Sequence, residues 1–177
     1  VLPEQRPRLT NEEVMARCPW ATFGKLKHRG PNIVTSLELD PAEMEKRNIH
    51  LQQKYAEIEE KEVRYEEIHC DDAEYLIVAF GSCARIAQKA MEEARAEGIK
   101  VGLLRPITLW PFPSKAIAER SRQVKGILTV ELNAGQMVED VRLAVECKVP
   151  VEYFGRLGGI VPDPDEVVTA LKEKIIK

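Results

Sequence analysis

The feature that most constrains the fold of this 177-residue chain is the alternation of apolar and amphipathic segments after residue 63. Tyr75–Phe80 is a continuous apolar run, which is typical of a strand covered on both faces. Further strands are predicted at residues 63–68, 100–104, 126–131 and 151–154. Helices are predicted at 81–97 and 114–123, after 135 and after 163. Alternating strands and helices indicate an α/β fold with a parallel or mixed sheet covered on both faces.

The part of the chain before residue 63 has a different character. Residues 1–39 show no sustained periodicity, and we interpret them as an extended linker or arm with a candidate strand at 32–35. Residues 40–62 form a predicted amphipathic helix, because Asp40-Pro41-Ala42-Glu43 combines an N-cap acid with proline at the first helical position. Since the sequence starts at Val1 with a linker-like segment, we expect a fragment of a longer protein.

Composition excludes several classes of protein. The net charge is −3 and lysine and arginine do not cluster, which argues against a nucleic-acid partner. The longest apolar run, Tyr75–Phe80, is too short to cross a bilayer. The four cysteines are not spaced for a metal or an iron–sulfur cluster, and we expect free thiols in a cytoplasmic protein. Cys83 is either reactive at a helix N-terminus or, as we favour, a small buried residue.

Right-handed crossovers place the connections after the second to fifth strands along one rim of the sheet, where such folds bind ligands. Gly81-Ser82 follows the second strand. Glycine permits a tight turn, and free N–H groups there can hold an anion. Capping of the helix by Ser82 is the favoured interpretation, because serine is among the commonest N-caps.

The connection after the third strand, within LLRPITLWPFP at 103–113, is stiffened by three prolines. It carries Arg105, Thr108, Trp110 and Phe112. A rigid loop with two aromatic rings can present them as anchors for another protein. Alternatively, the rings fold over the core of their own domain, and the sequence favours neither alternative.

An acid and two amides follow the fourth strand near the start of a helix: Glu131, Asn133 and Gln136, with Gly135 between the amides. These groups can orient a ligand or a neighbouring chain. They can equally cap the helix, and Glu131 can pair with Arg105. An exposed ion pair of this kind contributes only about 0 to 1 kcal/mol to the free energy of unfolding.

The connection after the fifth strand contains Arg156, Gly158 and Gly159. The arginine can meet a phosphate or a carboxylate. The paired glycines indicate positive φ angles or a backbone close to another group, although a simple tight turn explains them equally well. No nucleophile–base pair can be placed on the rim, since His28, His50 and His69 lie elsewhere, so we expect no self-contained active site.

Several segments together resemble a known family. LLRPITLWPFP, ELNAGQMVEDVRLAV and VEYFGRLGGIVPDP are similar to the C-terminal part of thiamine-diphosphate-dependent 2-oxoacid:ferredoxin oxidoreductases. NIVTSLELDPAEMEKRNIHLQQKYAEIEEKEVRYEE resembles the linker and helix that precede this part in VorB-type, or α, subunits of 2-ketoisovalerate enzymes. The resemblance covers roughly residues 30–177. Many relatives have TGLEHDE where this chain has TSLELDP, so a role of that histidine does not transfer.

The resemblance implies a transketolase C-terminal-like domain at residues 63–177. This is a three-layer α/β/α sandwich with a five-stranded, mostly parallel mixed sheet in the order 1-3-2-4-5, strand one being antiparallel. The chain then reverses direction between strands two and four. A crevice would lie between Gly81-Ser82 and the group of Glu131, Asn133 and Gly135.

The resemblance also implies a function for the assembly of which such a chain is a part. The family converts a 2-oxoacid and coenzyme A into acyl-CoA, carbon dioxide and reduced ferredoxin, using thiamine diphosphate with Mg²⁺ and [4Fe–4S] clusters. The acid that activates thiamine belongs to an upstream domain, and no cysteine set here can bind a cluster, so neither cofactor is expected on this chain. The implied partners are a thiamine-binding β subunit, a γ subunit, a ferredoxin-like δ subunit and ferredoxin. This domain would serve subunit assembly and be inactive alone.

Two other interpretations stay open at this point. One is a small-molecule binding module that holds coenzyme A or another anion through Arg105, Arg156 and the Gly81-Ser82 turn. The other is a free-standing flavodoxin-like protein with an unrelated function. Its weakness is the long unstructured arm expected before residue 40.

Overall fold

The computed structural model describes residues 8–21, 30–31 and 35–176, and the chain divides into two compact units, Val1–Arg47 and Asn48–Lys177. In the first unit, Asn11–Arg17 forms helix α1. Thr10 Oγ1 accepts the N–H of Glu13 at 3.2 Å, and Glu13 accepts the N–H of Thr10 at 2.8 Å. This capping box makes the expectation of an extended arm wrong for these residues. Residues 32–34 of the candidate strand lie outside the described residues.

Helix α2, Pro41–Lys61, begins where the sequence predicts it. Asp40 Oδ1 accepts the N–H of Ala42 at 2.8 Å and that of Glu43 at 3.3 Å. None of its side chains is fully buried, which agrees with packing along one narrow stripe. The division between the two compact units falls within this helix, after Arg47 in the sequence. The domain boundaries expected at residues 39 and 62 therefore stay predictions.

The second unit contains a five-stranded sheet whose strands lie within two residues of their predicted bounds. They are β1 (Tyr65–Ile68), β2 (Tyr75–Ala79), β3 (Val101–Pro106), β4 (Ile127–Glu131) and β5 (Val151–Gly155). Their order is β1-β3-β2-β4-β5. The edge strand β1 is antiparallel to β3, and the other neighbours are parallel. This confirms the order implied by the family resemblance.

Four helices connect these strands or follow them: α3 (Gly81–Ala96), α4 (Ser114–Arg120), α5 (Met137–Val145) and α6 (Pro164–Leu171). Gly98, with φ +88°, ends α3 as predicted. Helix α4 is three residues shorter than predicted, because the N–H groups of Arg122 and Gln123 bond to carbonyls three residues back and tighten the chain. The last helix changes after Leu171 into a π-helical turn, Lys172–Ile176.

The core forms two apolar layers on opposite faces of the sheet. Helices α3 and α6 cover one face, and α4 and α5 cover the other. Strand β2 contributes to both layers, since Leu76 and Val78 point one way and Ile77 and Ala79 the other. All four side chains are fully buried. The three-layer sandwich therefore follows from a central strand that must be covered on both sides.

Replacing Gly102 of β3 by alanine should destabilise the protein. An added Cβ would lie 2.9 Å from the carbonyl oxygen of His69 and 3.0 Å from Cα of Cys70. Both are backbone atoms, so neither can move away unless the main chain shifts. We expect a loss of roughly 1–3 kcal/mol in the free energy of unfolding, measured with urea. Gly30→Ala is the control, because no atom of the described residues lies within 4 Å of its added Cβ. Equal stability of the two variants would contradict the close approach.

Candidate functional site

Four connections begin at the same edge of the sheet. Strands β2 to β5 are parallel, so their carboxyl ends lie side by side in the order β3, β2, β4, β5. We call the following residues, 80–82, 107–113, 132–136 and 156–163, the strand-end rim. Its exposed large apolar side chains are Ile107, Leu109, Trp110, Leu132, Leu157, Ile160 and Val161. The gathering of these connections along one edge, predicted from the β/α alternation, is confirmed.

The proline-rich part of the rim is tied to the residue just before β1. Thr108 Oγ1 accepts the N–H of Arg64 at 3.0 Å and donates to the carbonyl of Pro111 at 2.8 Å. The N–H groups of Ile107 and Thr108 both donate to the carbonyl of Arg64. The peptide bond between Trp110 and Pro111 is cis. These hydrogen bonds add to the φ restriction of the prolines and hold the loop backbone in place.

The two aromatic rings of this loop have different environments. Phe112 packs against the core layer under α4 and α5. Trp110 is 56% exposed and meets Tyr55 of α2 edge to face, with ring centroids 5.7 Å apart. The inward-folding interpretation is therefore confirmed for Phe112, while a contact of the exposed Trp110 with another protein stays a prediction. Phe112 anchors the loop, and Trp110 is presented on the surface.

Glu131 ends β4 and is fully buried. Its Oε2 accepts the N–H groups of Gln136 at 3.2 Å and Met137 at 2.8 Å, and its Oε1 accepts that of Val138 at 3.0 Å. These donors at the start of α5 have no partner inside the helix, and negative charge is favoured there. The capping role considered for Glu131 is confirmed. Its carboxylate fills the place where a bound phosphate would sit in such a fold.

The loop between Glu131 and α5 is fixed from strand β5. Tyr153 donates its hydroxyl hydrogen to the carbonyl of Asn133, and Asn133 Oδ1 accepts the N–H of Gly135 at 2.7 Å. Residues two apart on a strand share a face. Gly155 thus leaves space for the Tyr153 ring, which a Cβ there would strike. Tyr153 and Gly155 are not among the site residues predicted from the sequence, although the Tyr-x-Gly spacing was an available signal.

The turn after β2 differs from the prediction. Ser82 does not cap α3, whose N-cap is Phe80 without a side-chain hydrogen bond. Gly81, with φ +57°, turns the chain sharply, so Ser82 lies inside the first turn of the helix and is exposed. Cys83 is buried, and burial together with the nearby Glu131 carboxylate raises the pKa of its thiol. The favoured interpretation of Cys83 as a packed residue is confirmed.

Both arginines predicted on the rim are ion-paired. Arg105 bonds Glu66 at 2.8 Å instead of Glu131, because Glu66 lies directly opposite it in the β1–β3 pair. Arg156 bonds the carboxylate of Glu166, so a carboxylate is its partner in this structure. Gly158 and Gly159 have φ angles of +64° and +85° and open space around them. The positive φ angles that the paired glycines indicated are thus confirmed, and no described group lies close to either position.

The described side chains do not form a site for the metal or cluster that the family resemblance implies. No three His, Cys, Asp or Glu side chains in the described part of the chain lie close enough to hold a metal ion. A phosphate ligand on the rim would have to compete with Glu66 and Glu166 for the two arginines. Among the described helices, none is long and apolar enough to span a membrane. The rim therefore offers an apolar surface, and both arginines predicted on it are neutralised within the chain.

Comparison with known proteins connects this geometry to a family. Residues 73–167, more than half of the chain, match the family described as pyruvate:ferredoxin oxidoreductase core domain II. The chain belongs to this family. The matched segment runs from just before β2 into α6, so this core domain II includes four of the five strands and the entire strand-end rim.

Relatives of known function are subunits of larger enzymes. The chain is 49% identical over 154 residues to ketoisovalerate oxidoreductase subunit VorB of Methanothermobacter thermautotrophicus, covering 87% of this chain. It spans 43% of the length of that relative. A solved 2-oxoglutarate:ferredoxin oxidoreductase from Magnetococcus marinus, with 2-oxoglutarate, coenzyme A and succinyl-CoA bound, matches with a TM-score of 0.67 at 25% identity. That match covers 77% of this chain and 24% of the solved one.

A split-gene transketolase, solved as an inactive tetramer of beta subunits, shares the fold with a TM-score of 0.55 at 22% identity. The match covers 62% of this chain and 40% of the transketolase chain. Core domain II therefore has the transketolase C-terminal-like fold that the sequence resemblance implied.

Glu131→Gln should destabilise the protein although the side chain keeps its size. An amide offers one oxygen and one NH₂ group, so at least one of three N–H donors would face a donor instead of an acceptor. We expect a loss of about 2–4 kcal/mol in the free energy of unfolding. Glu139→Gln, on the exposed face of the same first turn of α5, should change it by less than about 0.5 kcal/mol. A stable Glu131→Gln variant would contradict the capping role.

The thiols should differ in reactivity according to burial. Cys70 is buried and the pKa of its thiol is raised to about 11, mainly by burial, while Cys147 is exposed. At pH 8 a disulfide reagent should modify Cys147 in the native protein. Cys70 and Cys83 should react only as the protein unfolds. Mass spectrometry of digested samples identifies the modified residues, and rapid native modification of Cys83 would contradict its assigned environment.

Proposed function

We propose that this chain contributes core domain II to a thiamine-diphosphate-dependent 2-oxoacid:ferredoxin oxidoreductase and serves the assembly of that enzyme. In the proposed reaction, a 2-oxoacid and coenzyme A give acyl-CoA and carbon dioxide while ferredoxin is reduced. The family match and the VorB relative support the enzyme class. The observation that carries the assembly role is the rim, where exposed apolar side chains lie on the connections and both predicted arginines are paired within the chain.

The same relatives support a proposal for the substrate and for the partner subunits. We propose a branched-chain 2-oxoacid of the 2-ketoisovalerate type, supported by 49% identity to a ketoisovalerate oxidoreductase subunit. The proposed partners are the thiamine-binding, γ and ferredoxin-like subunits of the same enzyme. We place the assembly in the cytoplasm, which is supported by four free thiols.

The proposed rim contact has the physical character of a protein interface. Large apolar side chains on a fixed backbone lose little conformational freedom when they are covered, so most of the gain from burial is kept. Thr108 and the prolines fix the loop after β3, and Tyr153 fixes the loop after β4. The two loops lie on either side of β2 at the same edge of the sheet. A partner subunit covering this edge would bury side chains from three connections together.

Binding to the thiamine-binding subunit should depend on the rim. Leu157→Asp places a charge on an exposed apolar position of the rim, and we expect at least about a tenfold increase in the dissociation constant, measured by calorimetry. The matched control is Leu143→Asp, an exposed leucine on the outer face of α5. It should bind like the parent chain. Equal weakening by both changes, or by neither, would argue against docking through the rim.

A further inference from the structure

We propose that a cleft beside the rim, between the C-terminal half of α2 and the proline loop, receives an arginine side chain of a partner subunit. This inference rests on the proposed function, and it specifies the chemistry of one contact in the proposed assembly. We call this cleft the aromatic–acidic cleft and define it by Glu59, Glu60, Tyr65, Trp110 and Lys115.

The walls of the aromatic–acidic cleft carry exposed aromatic rings. Its volume is about 810 Å³, bounded by the end of α2, the start of β1, residues 110–113 and the first turn of α4. Trp110 is 56% and Tyr65 42% exposed. The faces of aromatic rings attract cations, and a guanidinium group also stacks on them through its planar shape. A cationic group entering the cleft would therefore find apolar and electrostatic contact together.

The wall of the cleft carries glutamate side chains that have no ion-pair partner among the described residues. Residues 56–67 contain six glutamates and two basic residues. Four glutamates are ion-paired: Glu57 with Lys61, Glu62 with Arg64, Glu66 with Arg105 and Glu67 with Arg120. Within the described residues, the other two, Glu59 and Glu60, have no ion-pair partner, and both line the cleft. This segment thus neutralises its carboxylates everywhere except at the cleft.

Lys115 lines the opposite wall and forms no ion pair within the described part of the chain. Two carboxylates against one ammonium leave the cleft negative, which favours a cation over an anion.

An arginine side chain fits the cleft better than a lysine side chain. The planar guanidinium group of arginine can donate two parallel N–H hydrogen bonds to a carboxylate while it stacks on an aromatic ring. Trp110 belongs to both the rim and the cleft. A subunit docked on the rim therefore reaches the cleft without a second, separate interface.

The experiment measures the dissociation constant of the full chain for the thiamine-binding subunit by calorimetry at two salt concentrations. The double variant Glu59→Gln/Glu60→Gln should bind roughly tenfold more weakly at low salt, with a smaller salt dependence. Lys115→Gln is the control of opposite charge and should bind as tightly as the parent or more tightly. All three positions are exposed, so the variants should fold, which thermal unfolding checks.

The pattern of results separates this inference from the proposed function. Failure of the parent chain to bind would overturn the proposed function and this inference with it. A parent that binds, with the Glu59→Gln/Glu60→Gln variant equally tight, would overturn the inference alone. Weaker binding of Lys115→Gln, whether or not the double variant also weakens, would indicate an anionic occupant or a general loss of the interface, and would overturn it as well.

Discussion

Coverage of β2 and β4 on both faces is the constraint on which the rest of this structure depends. Every strand residue of β4, and all of β2 except Tyr75, is buried, so each needs helices above and below. Right-handed crossovers supply those helices and return the chain to the same end of the sheet each time. The strand-end rim is therefore a consequence of how the core is covered. Its exposed apolar side chains are what distinguishes this edge chemically.

Glu131 shows how the rim uses a carboxylate of its own to complete the start of a helix. In a parallel α/β fold, the N-terminus of the helix after a central strand is the natural place for a ligand phosphate. Here a carboxylate from the end of β4 accepts three N–H groups at that place. Arg105 and Arg156 are likewise paired within the chain. The ligand-binding chemistry of the fold is thus used internally, which fits a domain whose proposed role is to hold other subunits.

Much of the fold was predictable, and the errors have common causes. Apolar periodicity located all five strands within two residues, because the order of apolar and polar side chains follows which positions are buried. It missed α1, since seven residues are too few for a clear period and the Thr10–Glu13 capping box was overlooked. It made α4 too long, because nothing in its pattern shows where α-helical bonds give way to tighter turns.

The sequence by itself determined the α/β class, the rigid proline loop and, through resemblance, the sheet order with β1 at its edge. Only the tertiary structure decided the partners: Arg105 with Glu66, Glu131 with the start of α5, Phe112 inward and Trp110 outward. The physical reason is that the apolar periodicity of a sequence reflects the solvent exposure of each side chain. A contact between residues far apart in the chain depends on strand register and on which groups compete for it, and local sequence specifies neither.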